Sequence, residues 1–363
     1  MLVSDSAKPL VLTLLFGGTS AEHEISLRSA RAILEHLDRT RYDVRLVGIT
    51  RQGGWLPEAD SRRLLDGEEV DLVAHGPFLP EGTQVVFPVL HGPMGEDGTV
   101  QGWLELLGVP FVGSGCAGSA LAMDKSLAKH VLRSVDIPVL PWTDVARARW
   151  QADPGAVLDH LEEKRGYPCF IKPTCLGSSV GISRVEDRAA LHDALDLAFR
   201  YGDMALVEPA VDARELEVAV LDGDEPLASL PGEICTPEWY DYDAKYTTDE
   251  AELHVPSDSI PPRMAEAMRD MALAAFRVLR LSGLARIDFL LDKKGGRFAL
   301  NEVNTMPGFT SISMYPKLMG TLDIPFGELC DRLIDLALAK QPGGRGQEAV
   351  PAPPQERELS AGQ

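Results

Sequence analysis

The chain has 363 residues, which at roughly 150 per domain is room for two to three domains. Its 35 Lys and Arg stand against 55 Asp and Glu, a formal net charge of −20, which argues against a general binder of nucleic acid or of anionic membrane surfaces. Hydrophobic residues at 45% and charged residues at 25% are ordinary for a globular chain.

Apolar runs such as 10–16 and 85–90 are far too short to cross a bilayer. The amino terminus shows no basic segment leading into a long apolar core, so no secretory signal is expected. Cys116, Cys169, Cys175, Cys235 and Cys330 include no Cys-x-x-Cys pair, and an odd count without metal spacing points to reduced thiols in a cytosolic protein.

Residues 10–16 are continuously apolar, as a parallel strand covered on both faces requires. After the Gly17-Gly18 break, Ile25, Ala30, Ile33, Leu34 and Leu37 recur at helical spacing. Strands at 44–50 and 84–90, a helix at 98–107 and a short strand at 111–112 extend an open doubly wound α/β pattern to about residue 120. The Gly/Pro-punctuated stretch between 50 and 84 reads as an irregular loop or hairpin insertion. A second unit is predicted to hold helices at 125–135, 154–165 and 188–200, with strands at 169–172, 181–185 and 205–211. A third holds strands at 215–221, 284–291 and 297–303 and a long helix at 262–281. The aperiodic polar and aromatic stretch 236–250 reads as a functional loop, and 341–363 as a disordered tail. The predicted domains are therefore 1–122, 123–211 and 212–340, followed by that tail.

The strands 284–291 and 298–304, joined by a Lys/Gly turn, are the most informative pair. A three-residue loop at 294–296 sets Asp288 opposite Glu302 and Arg286 opposite Asn304, all on one face, with Ile287 and Val303 on the other. Opposed carboxylates call for a cation. Hard oxygens of Asp288, Glu302 and Asn304 suit Mg²⁺ beside a nucleotide, while the plainer alternative is an exposed polar face neutralised by Arg286.

The loop Cys175-Leu-Gly-Ser-Ser-Val-Gly181 follows a strand ending in Lys172 and precedes a strand, so it fails the Walker pattern. It is either a phosphate cradle served by Gly177, Ser178, Ser179, Gly181 and Lys172, or a plain hairpin turn. Glu208, at a strand end, is either a surface glutamate or a nucleotide hinge contact. Glu22, in Gly17-Gly-Thr-Ser-Ala-Glu22, lies where open α/β sheets bind ligands, but it also suits a helix cap. In His91-Gly-Pro-Met-Gly-Glu-Asp-Gly98, the Asp-Gly pair suits a turn and His91 is placed to face a substrate.

Taken together, these motifs resemble the D-alanine–D-alanine ligase family of the ATP-grasp superfamily. The resemblance runs in order from about residue 11 to 340. It adds Met123-Asp-Lys125, Tyr242-x-x-Lys245-Tyr246 and Pro307-Gly-Phe-Thr-Ser-Ile-Ser313 to the motifs above. It implies a three-domain α/β fold, α+β in parts, with an N-terminal doubly wound parallel-sheet domain and two α+β domains clamping ATP.

The resemblance places ATP against Lys125, Lys172, Ser178, Ser179, Glu208, Pro209, Val211, Glu215, Lys245, Asn301 and Glu302. Two Mg²⁺ ions (or Mn²⁺) would sit on Asp288, Glu302 and Asn304, and a monovalent cation is allowed. Glu22, Ser178, Tyr246, Arg286 and Ser313 are the implied catalytic group. His91, Lys245, Gly308, Ser313 and Met314 are the implied substrate contacts. Glu22 would take the first D-alanine's ammonium, and Arg286 with the Gly308 amide would hold the oxyanion. Tyr246 favours D-alanine over D-lactate as second substrate, a D-alanine–D-lactate ligase being the alternative. A homodimer in the cytoplasm, without nucleic-acid or membrane partners, completes the implied picture. Pro209 departs from relatives that carry Lys after the nucleotide-site Glu.

Overall fold

The computed structural model describes residues 8–68, 70, 75–178, 180–235, 252–294 and 296–340. Ser179, Lys245 and Tyr246, the loop 236–250 and the tail 341–363 lie outside the described residues.

The N-terminal sheet has the order β3-β2-β1-β4, where β1 is Leu10–Gly17, β2 Tyr42–Ile49, β3 Trp55–Leu56 and β4 Val85–Pro88. The strand β1 pairs in parallel with both β2 and β4, and β3 is an antiparallel edge. Helices α1 (His23–His36), α2 (Glu58–Leu65) and α3 (Thr99–Leu107) accompany it. From Leu12 to Phe16 every β1 residue is buried, which accounts for the continuous apolar run. Part of the stretch expected to be irregular is helical, since α2 buries Ser61 and Leu65.

Helices α4 (Cys116–Met123) and α5 (Lys125–Arg133) lead into the second sheet, order β5-β8-β6-β7. These strands are β5 (Thr143–Ala146), β6 (Cys169–Pro173), β7 (Ser183–Val185) and β8 (Met204–Pro209), all antiparallel. Its core is closed by α6 (Arg147–Ala152), α7 (Pro154–Lys164) and α8 (Arg188–Ala198). Strand β8 ends at Pro209, two residues short of the expectation, because Val211 is exposed and unpaired with the sheet.

The third sheet runs β12-β11-β9-β13-β14, with β10 on the flank of β9. It comprises β9 (Ala213–Leu221), β10 (Leu227–Ala228), β11 (Gly232–Cys235), β12 (Glu252–His254), β13 (Leu284–Asp292) and β14 (Phe298–Asn304). Helix α9 (Pro262–Val278) starts on Pro262 and lays Ala265, Met268, Ala272, Ala275 and Phe276 against one side of the sheet. On β13, Ala285, Ile287, Phe289 and Leu291 join that core, so Arg286, Asp288 and Leu290 point the other way.

The hairpin differs from its expected form in one respect. Asp288 pairs with Glu302 and Arg286 with Asn304, as expected, but Phe289 pairs with Leu300, one residue out of step. A β-bulge at this point adds Asn301 to β14. Leu300 and Val303 are consequently both buried although three apart, and Asn301 and Glu302 both lie off the core.

Helices α10 (Met314–Gly320) and α11 (Phe326–Ala339) turn back onto the N-terminal sheet. Tyr315, Leu318, Leu329, Leu333 and Ile334 share one core with Leu12, Leu14, Phe16 and Ile33. The first and third units are thereby joined by a common hydrophobic interior, although the sequence reads as separate units.

Candidate active site

A cavity of about 960 Å³ opens where the three sheets meet. Among the residues expected at the site, it is lined by Glu22, His91, Lys125, Lys172, Ser178 and Glu215. From the third sheet and the loop after it come Arg286, Asp288, Asn301, Glu302, Asn304, Gly308, Ser313 and Met314. Glu208, Pro209 and Val211 are not part of the lining.

Glu22 precedes α1 at its cap position, yet its side chain makes no capping hydrogen bond. Instead the Ser178 hydroxyl donates to Glu22 Oε1, joining residues 156 positions apart. Two glycines make room for this carboxylate. A Cβ on Gly92 would stand 3.0 Å from Glu22 Oε2, and one on Gly177 3.2 Å from it. Ser178 holds φ +51°, a strained left-handed conformation for a non-glycine residue of the kind that clusters at ligand sites.

Lys125 is the first residue of α5, whose N-terminus is fixed by Asp124 accepting from the Ser126 and Leu127 amides at 2.9 and 3.0 Å. Its ammonium donates to the Leu176 carbonyl at 2.6 Å and stands 3.4 Å from Glu302. It thus ties the Gly/Ser loop to β14.

On the third sheet, Glu217, Asp288 and Glu302 are cross-strand neighbours on β9, β13 and β14, a row of carboxylates in register. Arg286 offsets part of this charge. It donates Nε to Asp288 Oδ1 at 2.8 Å and Nη2 to Oδ2 at 2.7 Å, and its Nε lies 3.1 Å from Glu217. Burial opposes its charge, but Asp288 and Glu217 outweigh that and hold the guanidinium above its ordinary range. The Asn304 amide also donates to Asp288, at 2.9 Å. Among the described residues, no group of three or more His, Cys, Asp or Glu converges as a metal cage. A divalent ion that shares its shell with phosphate oxygens needs only one or two carboxylates, and Asp288, Glu302 and Asn304 fit that hard-oxygen requirement.

His91 lies on the cavity wall, but both its ring nitrogens have protein partners. Nδ1 faces the Met306 carbonyl at 2.9 Å and Nε2 the Ser29 hydroxyl at 3.2 Å, so Nδ1 carries the proton. Burial lowers its pKa, which keeps the ring neutral. Its neighbour Glu96, missed in the sequence, is pushed up to about 8 by burial and by the charge of Glu22. Its two oxygens accept from the Gly92 and Met306 amides at 2.6 and 3.0 Å. Asp97, by contrast, does what an Asp-Gly turn predicts, accepting from the Met94 and Thr99 amides. At the far end, Ser313 Oγ is 2.7 Å from Thr310 Oγ1, and a Cβ on Gly308 would come within 3.0 Å of Ser313 Oγ.

Glu208 lies behind the cavity wall. Its carboxylate is 1% exposed and meets two ammonium groups, Lys129 at 2.5 Å and Lys172 at 2.8 Å, the second of which lines the cavity. Lys129 was also missed; its position on α5 gives no local sign of burial. Glu217 was missed although the strand alternation that exposes Asp288 on β13 applies equally to β9.

Comparison with known proteins agrees with this architecture. The family model described as D-ala D-ala ligase N-terminus matches residues 11–114, and the one described as D-ala D-ala ligase C-terminus matches 131–335. A D-alanine–D-alanine ligase of Deinococcus radiodurans is 48% identical over 337 residues, covering 91% of this chain and 99% of that one. One from Heliobacterium modesticaldum is 45% identical over 91% of this chain and 94% of its own. Among solved structures, the D-alanine–D-alanine ligase of Coxiella burnetii aligns with a TM-score of 0.78 at 33% identity, covering 92% of this chain and 95% of that one. The VanG D-Ala:D-Ser ligase of Enterococcus faecalis aligns at 0.79 and 32%, covering 91% and 100%.

Proposed function

Because the chain belongs to the D-alanine–D-alanine ligase family, an ATP-grasp family of three-domain enzymes, we propose that it joins two D-alanine molecules using ATP, in the cavity just described, releasing ADP and phosphate for cell-wall precursor synthesis. The observation that carries the assignment of the site is the meeting, in one cavity, of a Glu22–Ser178 bridge with the Arg286–Asp288–Glu302 row.

The chemistry follows from charge. The carboxylate of the first D-alanine attacks the γ-phosphorus, the bond to the bridging oxygen breaks, and ADP leaves. Both reactants are anionic, so local cations must offset their repulsion. Lys125 and Lys172 meet phosphate oxygens and Glu22 holds the substrate ammonium, a reading supported by all three lining one cavity and by Gly92 and Gly177 leaving room at the carboxylate. Mg²⁺ held by Asp288, Glu302 and Asn304 supplies further neutralisation of the phosphoryl group when bound. The amine of the second D-alanine then attacks the acyl carbon, the C–O bond to phosphate breaks, and the proton lost from nitrogen leaves with the departing phosphate. Arg286 and the Gly308 amide stabilise the oxyanion of the tetrahedral intermediate. Ser313 and Met314 receive the second carboxylate. Ser178 bridging to Glu22 holds the Gly/Ser loop over the reacting groups, which limits hydrolysis of the acyl phosphate.

The division into units 1–122, 123–211 and 212–340, a homodimeric state and a cytoplasmic location belong to the same proposal. It is supported by the family relationship, and no described helix is long and apolar enough to cross a membrane. The test is release of inorganic phosphate from ATP and Mg²⁺ on adding D-alanine, with L-alanine as control. No stimulation by D-alanine would refute the activity. Dipeptide against depsipeptide formation over a pH series decides the second substrate, and sedimentation the oligomeric state.

A further inference from the structure

Helix α5 puts two lysines one turn apart. Lys125 lines the cavity, while Lys129 is 2% exposed and ranks among the largest fully buried side chains. Lys129 Nζ lies 2.5 Å from Glu208 Oε1, and Glu208 Oε2 lies 2.8 Å from Lys172 Nζ. The Lys129 ammonium also lies over the Trp142 ring, 5.9 Å from its centroid. Of this triad only Lys172 reaches the cavity.

Two ammoniums and one carboxylate sum to +1. With Lys129 removed, Glu208 and Lys172 would cancel, and the carboxylate would hold the Lys172 ammonium in the wall. We propose that Lys129 is a positioning residue for nucleotide binding: it occupies one oxygen of Glu208, leaving the positive charge of Lys172 available to the phosphates of ATP. This rests on the assignment of the cavity as the ATP site, and it gives the Glu208 side chain a supporting role behind the cleft. Burial draws the Lys129 ammonium down against the pull of Glu208. Burial works the other way on Glu208, but Lys172 and Lys129 outweigh it and keep the carboxyl below its usual range.

The experiment is calorimetric titration of the full chain with Mg²⁺–ATP in the absence of D-alanine, alongside steady-state kinetics. Lys129→Met, a linear and volume-matched change, is expected to weaken binding roughly tenfold or more. The KM for ATP should rise with it, while kcat and the KM for D-alanine move less than about threefold. Adding Glu208→Gln to Lys129→Met leaves Lys172 as the sole charge and is expected to restore affinity to within about threefold of the unsubstituted protein. A packing role predicts no such rescue.

Unchanged affinity in Lys129→Met, or a double variant as weak as the single one, overturns the proposal while leaving the ATP site intact. An unsubstituted protein that fails to bind ATP overturns both. Should Lys129→Met not fold, Lys129→Arg and the double variant are both expected to bind within about threefold of normal. Weak binding by either, in folded protein, refutes the role.

Discussion

Replacing Arg286 by Met tests the centre of the site. The substitution removes two hydrogen bonds to Asp288, at 2.8 and 2.7 Å, and the contact with Glu217 at 3.1 Å. Asp288 is then left between Glu217 and Glu302, its partners in register, with the Asn304 amide still donating to it at 2.9 Å. Removing one partner of a buried pair typically costs 3–5 kcal/mol, and the surviving Asn304 bond places this case near ~3 kcal/mol. For a chain of 363 residues, with an unfolding entropy of roughly 0.76 kcal/mol/K, that lowers the melting temperature by roughly 4 °C.

The kinetic consequence is separate. Loss of one oxyanion donor typically costs ~100- to 1,000-fold in kcat, equivalent to ~2.7–4 kcal/mol. ATP affinity should hardly change, because the lysines proposed to meet its phosphates are Lys125 and Lys172. The assay is D-alanine-dependent phosphate release at a temperature where the variant is folded, with ATP binding measured independently. Arg286→Lys, which keeps the charge but loses the two-pronged geometry, should recover less than about a tenth of the activity. Turnover within about threefold of normal in folded Arg286→Met refutes the oxyanion role. A parallel loss of ATP binding shows instead that the carboxylate row has collapsed.

Gly92→Ala forces a Cβ to 3.0 Å from Glu22 Oε2 at φ +74°, a strain of roughly 1–2 kcal/mol. The KM for D-alanine should rise about tenfold while ATP binding stays normal; an unchanged KM would remove Glu22 from the substrate site. Glu96, pushed up to about 8 from an ordinary 4.5, stabilises the fold fully below about pH 4.5 and progressively less as pH rises towards 8. Glu96→Gln should therefore gain on the unsubstituted protein across that window, by roughly 3–5 kcal/mol, in urea melts at successive pH values. A pH-independent difference would contradict the assignment. Arg214 donates Nε and Nη2 to Glu233, both at 2.6 Å, and is the main cause of its fall to about 2. That contribution is complete above about pH 4.5 and lost as pH falls through 2; because Ser257 and Ser259 also donate to Glu233, Arg214→Ala should flatten only part of the acid limb of the stability curve, by roughly 1–2 kcal/mol.

Much of this was legible from the chain alone where the governing physics is local. Strand alternation put Arg286, Asp288 and Asn304 on one face, and the continuous apolar run announced a strand covered on both sides. The Asp288–Glu302 pairing was correct, although the assumed three-residue turn was not. A bulge at Asn301 absorbs the difference, and no period of two encodes it. Tyr246, Lys245 and Ser179, to which the family resemblance assigns the second substrate and part of the loop chemistry, lie outside the described residues.

The sequence determined which residue types could serve the chemistry and which strand face most of them would occupy, because backbone geometry sets side-chain direction within a few residues. Tertiary structure alone decided which charges meet. Glu22 reaches Ser178 across 156 positions, Glu208 joins Lys129 to Lys172, and α11 closes the N-terminal core. The reason is that burial and ion pairing depend on what packs opposite, and that partner comes from a remote part of the chain.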